Sequence, residues 1–164
     1  MENNPTPTQT SRADFIKIVA LEKNNPDDAT ADDVLKLPYE LRQKSRQRVR
    51  LDSGREAGLF LPRGSILRSG DFLITEEGLR FKVEAAAERV SIVRTKDALM
   101  QIRVAYHLGN RHVAVQIKPN CLIYLHDHVL DDMVRQLGGS VMGADQAFEP
   151  EEGAYHGGAH HHCH

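Results

Sequence analysis

Val113-Ala114-Val115-Gln116-Ile117-Lys118-Pro119-Asn120-Cys121-Leu122-Ile123-Tyr124-Leu125-His126-Asp127-His128 holds two mainly apolar runs on either side of Lys118-Pro119-Asn120. Two short runs with turn chemistry between them predict a β-hairpin, Val113 to Ile117 paired with Cys121 to Leu125. Asp127 stands where a helix N-cap belongs, ahead of Val129, Leu130, Met133, Val134 and Leu137, which recur as one apolar face. Gly138-Gly139 ends that helix, and Ser140 to Phe148 reads as a closing strand. Upstream, Val90 to Arg94 reads as a strand. Thr95 can cap a helix whose apolar residues Leu99, Ile102, Ala105 and Tyr106 recur at three- and four-residue steps, and Gly109 stops it. Strand, helix, strand, strand, helix, strand is the split βαβ or ferredoxin-like arrangement, expected over residues 88–150.

Before this unit the rhythm is different. Phe15 to Leu21 reads as a strand, and Pro26 to Asp33, with Asp27, Asp28, Asp32 and Asp33, as a solvated loop with a short helix towards Leu37. From Leu41 to Leu51 the cations Arg42, Lys44, Arg46, Arg48 and Arg50 alternate with other residues, which on a strand would place all five on one face. Asp52-Ser53-Gly54 then turns the chain into Ala57 to Pro62, a second hairpin. Further turn signals separate Ile66-Leu67, Phe72 to Ile74 and Leu79 to Val83, so residues 13–87 are expected to form a small all-β unit and the whole chain an α+β protein. Residues 1–12, rich in Pro, Asn, Thr and Ser, are expected to be disordered, and 151–164, without apolar period, to be a flexible tail.

Composition removes several classes. The 164 residues are 40% apolar, 27% charged and 5% aromatic, with no apolar run of the length a membrane span needs. Met1-Glu2-Asn3-Asn4-Pro5 has neither the basic nor the apolar region of a secretory signal, so the cytoplasm is the expected compartment. Cys121 and Cys163 are too few for a disulfide framework. The chain contains no Gly-x-Ser-x-Gly, P-loop or His-Glu-x-x-His, and Cys121 falls inside an apolar strand, so an enzyme is not expected. Residues 42 to 68 carry eight Lys or Arg against two acids, which raises a nucleic-acid or protein interaction module as the alternative. The central strands offer only Tyr124 for base stacking, which argues against RNA.

The nine histidines are the unusual feature, because all of them follow residue 106. The tail His156-Gly157-Gly158-Ala159-His160-His161-His162-Cys163-His164 offers imidazoles and a thiol, donors suited to nickel, copper, zinc and cobalt. A truncated purification tag is the bland alternative, against which stand the Gly-Gly-Ala interruption and the cysteine. His126 and His128, at i and i+2 on an extended backbone, would point the same way, about 6 to 7 Å apart, close enough to chelate one ion. Asp127 is placed either to cap the helix or to orient one of these imidazoles. In isolation the pair reads better as two exposed histidines at a helix start, and it is the remaining histidines that change that weighting. His107 and His112 flank a helix end and turn. On the strand read after that turn, His112 shares its face with Ala114 and Gln116, and beside a two-fold axis two copies could hold one ion.

Tyr106-His107-Leu108-Gly109-Asn110-Arg111-His112, His126-Asp127-His128-Val129-Leu130-Asp131-Asp132-Met133 and Phe148-Glu149-Pro150-Glu151-Glu152-Gly153-Ala154-Tyr155-His156, in that order, resemble the urease accessory metallochaperones of the UreE type. The resemblance is strong from about 90 to 156 and looser across the β half, mainly at Leu59-Phe60-Leu61-Pro62-Arg63-Gly64 and Gly70-Asp71. It implies a homodimeric carrier that delivers Ni2+ to apo-urease, with a β-rich amino-terminal domain and a ferredoxin-like domain that binds metal and dimerises. It places the interfacial ligand at His112, two accessory ligands at His126 and His128, and a further histidine at His107. The urease apoprotein complex and a GTPase accessory protein are the partners it implies, with no nucleic acid or membrane, and Zn2+, Cu2+ or Co2+ are the competing ions. Ala114 replaces a proline common in the family, and the tail is shorter than its long poly-His versions.

Overall fold

The structure is a computed structural model, and it describes residues 15–23 and 30–152. The amino-terminal expectation of disorder over residues 1–12 and the flexible tail beyond Glu152 lie outside the described residues, as do Asp27 and Asp28.

Six strands form the first sheet: β1 (Ile16–Glu22), β2 (Asp33–Leu37), β3 (Arg46–Arg50), β4 (Glu56–Phe60), β5 (Phe72–Thr75) and β6 (Arg80–Ala85), in the order β2-β6-β5-β1-β4-β3. β1 runs parallel to β4 and β2 parallel to β6, and the other neighbours are antiparallel. Alternate residues of these strands, among them Ile18, Leu35, Leu37, Val49, Leu59, Leu73, Phe81 and Val83, meet in one buried core. The sheet curls until its two edge strands approach, and the Asp52 N–H donates to the Val34 carbonyl at 2.9 Å.

Several local readings change here. The segment leading to Leu37 is strand β2 rather than a helix, and Asp33 is tucked against the Asp52-Ser53-Gly54 turn instead of being solvated. The alternation from Leu41 to Leu51 spans two elements, a single-turn helix α1 (Tyr39–Arg42) and β3. Arg46, Arg48 and Arg50 are exposed on β3, while Arg42, on α1, is completely buried, so the face of five cations does not form. Ile66-Leu67 belongs to no strand, although Leu67 is buried in the core.

The second sheet contains β7 (Ala87–Arg94), β8 (Gln116–Lys118), β9 (Cys121–Leu125) and β10 (Ser140–Ala147), in the order β10-β7-β9-β8 with every pair antiparallel. Helix α2 (Ala98–Gly109) connects β7 to β8, and α3 (His128–Gln136) connects β9 to β10. The helices cover one face of the sheet through Met100, Val104, Leu108, Val134, Val93, Leu122 and Tyr124. Gly138, at φ 91°, turns the chain out of α3 in the left-handed conformation that glycine tolerates.

The capping and the packing face of α2 both differ from the expectation. Asp97, not Thr95, is the N-cap, and its carboxylate accepts the Met100 N–H at 2.8 Å. The Thr95 hydroxyl is buried without a partner among the described residues. Leu99, Ile102 and Tyr106 are 59%, 65% and 64% exposed, so three of the four residues read as the apolar stripe point away from the core, and of the four Ala105 alone packs against it.

The sheets are joined by a polar clamp on Phe148-Glu149-Pro150-Glu151-Glu152. The buried Arg42 guanidinium donates to the carbonyls of Leu37, Leu67 and Phe148 and to Glu149 Oε1 at 2.8 Å. Arg68 reaches the Pro150 carbonyl at 2.7 Å, Glu149 Oε2 at 3.4 Å and Glu152 Oε1 at 3.3 Å. The Phe148 ring, fully buried, meets the Tyr39 ring in a T-shaped pair with centroids 5.4 Å apart. On the other side the Glu151 N–H donates to the Val115 carbonyl, and the Glu149 N–H to Gln116 Oε1. This stretch is thus held by the first sheet through arginines and by the second through β8 and the chain leading into it.

Candidate metal-binding site

The end of α2 builds the turn that presents His112. The Arg111 N–H donates back to Leu108, the His112 N–H to Gly109 at 2.9 Å and the Val113 N–H to Leu108. These bonds wind the backbone past the helix and leave His112 at φ 55°, a left-handed conformation uncommon for residues other than glycine, though histidine, like asparagine and aspartate, adopts it more often than most. His112 therefore sits in a turn and not on the strand, which begins only at Gln116. Residues 113–115 spend their backbone groups on Leu108 and Glu151 instead of extending the hairpin. His112 is exposed and lines an open cleft of about 550 Å3 shared with Tyr39, Ala105, Gly109, Val113 to Val115, Ile117, Glu151 and Glu152. Glu151 and Glu152 thus share the cleft that holds His112.

His107 lies in the last turn of α2, half-buried, with its ring edge-on to Tyr106 at 5.4 Å and its carbonyl accepting Arg111 Nη1 at 3.1 Å. The fold thus places His107 and His112 at one helix end.

His126 and His128 flank the N-cap of α3. The Asp127 Oδ1 accepts the backbone N–H groups of Val129 at 2.8 Å and Leu130 at 3.2 Å, so this residue caps the helix and does not orient an imidazole. Orientation of His126 falls to residues that sequence reasoning missed. Its Nδ1 lies 3.0 Å from the Ser91 hydroxyl and 3.4 Å from Asp131 Oδ2, while the opposite carboxylate oxygen, Oδ1, accepts the Tyr124 hydroxyl at 2.7 Å. Ser91 and Tyr124 are fully buried and Asp131 nearly so. Burial, with the Asp131 carboxylate alongside, pushes the Tyr124 phenol well above its ordinary range. A signal for Asp131 was present in the sequence, since a carboxylate three residues before Val134 falls on the buried stripe of α3.

His156, His160, His161, His162, Cys163 and His164 lie outside the described residues. Among the described residues no three or more His, Cys, Asp or Glu side chains gather into a metal cage. No helix among them is long and apolar enough to cross a membrane.

A curled β unit followed by an α+β unit, with imidazoles presented on a turn and at a helix start, defines a two-domain protein whose exposed donors suit a borderline transition metal. The family description "UreE urease accessory protein, N-terminal domain" matches residues 16–86, and "UreE urease accessory protein, C-terminal domain" matches residues 88–164. The chain is 53% identical to urease accessory protein UreE of Alkalilimnicola ehrlichii over 140 residues, which covers 85% of this chain and 86% of that protein. The protein of the same name from Escherichia coli O157:H7 is 55% identical over 129 residues, covering 78% of this chain and 84% of that one. The one from Proteus mirabilis is 53% identical over 121 residues, or 74% and 75%. The chain belongs to the UreE family of urease accessory proteins. It is an accessory protein and not an enzyme.

Proposed function

We propose that this protein is a nickel metallochaperone that carries Ni2+ to apo-urease during assembly of the urease active site, working as a cytoplasmic homodimer. The observation that supports the dimer is the exposed stripe of α2. Leu99, Ile102 and Tyr106 are apolar, more than half exposed and set at helical spacing, and a second copy of this surface is the occupant that would bury it. His112, in the turn that ends the same helix, then comes from both protomers and supplies two imidazoles to one ion. His126 and His128 form an auxiliary pair, and His107, close to the helix end, is available to the first ion. The residues 88–150 form the metal-binding and dimerising unit, with the ferredoxin-like arrangement as its fold class. Residues 13–87 are the unit that meets urease and the GTPase accessory protein. The tail adds donors for capture, from His156 to His164. Zn2+, Cu2+ and Co2+ prefer the same donors and would compete.

Activation of apo-urease tests this reading. The nickel-loaded dimer is expected to activate apo-urease in the presence of a chelator that suppresses activation by free Ni2+. Activation no better than with the same concentration of free ion would overturn it.

A further inference from the structure

We propose that Tyr124, Ser91 and Asp131 form a hydrogen-bond relay that fixes the tautomer of His126, so that this residue offers only Nε2 to a metal. The proposal rests on the reading of His126 as an auxiliary ligand and names the device that prepares it.

Counting protons assigns the tautomer. As a carboxylate, Asp131 can only accept, and its Oδ1 takes the single hydrogen of the Tyr124 hydroxyl at 2.7 Å. Ser91 and Tyr124 are register partners on β7 and β9, and the buried Ser91 hydroxyl oxygen can donate or accept. That oxygen faces His126 Nδ1 at 3.0 Å, and the remaining carboxylate oxygen, Asp131 Oδ2, faces the same nitrogen at 3.4 Å. A carboxylate oxygen that can only accept, set beside the ring nitrogen, favours the tautomer in which that nitrogen carries the hydrogen, and the Ser91 oxygen then accepts as well. Nδ1–H is therefore the donor, and the lone pair is on Nε2. The opposite tautomer would leave Asp131 Oδ2 buried against an unprotonated nitrogen, with Arg135 Nη2 at 3.8 Å as its nearest other partner.

The relay is buried while the ring is 43% exposed at the side chain, so the committed nitrogen is on the inside. This is the outer-shell arrangement by which a carboxylate holds a metal-binding imidazole in one orientation and raises its basicity. Its role is to position His126, and Asp131 touches no metal.

Long-range 1H–15N correlation spectra of the metal-free full chain, at mildly alkaline pH, read the tautomer directly. The expected His126 signal is a protonated Nδ1 with an unprotonated Nε2. In Asp131→Asn the amide nitrogen can occupy the place of Oδ2 and donate to Nδ1, so the ring should convert to the Nε2–H form. Tyr124→Phe removes the hydroxyl that holds Asp131 Oδ1, so the carboxylate is free to turn away from Nδ1, and should give a mixture, in a variant that keeps the buried ring. Both substitutions should weaken nickel binding at the auxiliary site by about tenfold and leave the event that depends on His112 unchanged. An Nε2–H tautomer in the unsubstituted protein, or a tautomer unmoved by either substitution, would overturn the relay. If the tautomer is as expected but His126→Ala leaves the bound metal count unchanged, then His126 is not a ligand. That result would sink the proposal through the reading it rests on and leave the relay geometry intact.

Discussion

His112 occupies a backbone conformation, φ 55°, that most residues avoid. The left-handed region costs a residue with a Cβ about 1 kcal/mol, and here three backbone hydrogen bonds from the end of α2 enforce it. An alanine at 112 inherits the strain, whereas a glycine releases it. His112→Gly is therefore expected to be more stable than His112→Ala by about 1 kcal/mol in urea unfolding, and both variants should lose the tightest nickel-binding event. Equal stabilities would mean that the turn carries no strain. The histidine itself was legible in the sequence, and its place was not. Val113-Ala114-Val115 has the composition of a strand, but the partners of those residues are the helix end and Glu151, contacts across the chain that local composition does not encode.

Helix α2 shows what periodicity can and cannot decide. It carries two apolar stripes, Leu99-Ile102-Tyr106 and Met100-Val104-Leu108, both at helical spacing, and only the second is buried. Sequence alone established the helix but could not choose the stripe that faces the sheet, because the choice depends on where β7 and β9 lie. The exposed stripe yields a prediction for the dimer. Ile102→Glu should give a monomer by sedimentation equilibrium with an unchanged far-ultraviolet circular dichroism spectrum, and a dimer that survives it would place the interface elsewhere. In the other domain, Asp33 ties β2 to the β3–β4 turn. Burial raises its pKa, but hydrogen bonds from Ser53 and Arg55 and from the backbone of Val34 and Ser53 outweigh that and lower it to about 2. A carboxyl whose folded pKa lies below its unfolded value of 3.8 adds stability that is present above the unfolded value. The contribution is lost as pH falls through about 2. Asp33→Asn should accordingly cost about 1 to 2 kcal/mol at neutral pH, and the difference from the unsubstituted protein should shrink towards zero as pH is lowered to about 2. A penalty independent of pH would show that charge is not what Asp33 contributes.

At the scale of the whole molecule, the two sheets meet on Phe148 to Glu152, and the buried Arg42 is the main polar link. Removing it leaves Glu149 and three carbonyls short of donors, so Arg42→Met should destabilise the protein by about 3 kcal/mol and split one cooperative unfolding transition into two. A single transition at the original midpoint would show that the sheets are coupled by other contacts. The order of elements in the second sheet was readable from apolar runs and turn residues. The clamp was not, because it pairs Arg42 with residues more than a hundred positions away, and Arg42 had looked like one cation among five on a solvated strand. The same clamp brings Glu151 and Glu152 to the cleft that contains His112. The central claim is that His112, contributed twice across a two-fold axis, holds the carried ion. Calorimetric titration of Ni2+ into the full-length protein and into His112→Ala, with the oligomeric state of each checked by sedimentation, tests it most directly. The account predicts one tight ion per dimer that disappears in the variant while the dimer persists, and an unchanged tight event in a His112→Ala dimer would contradict it.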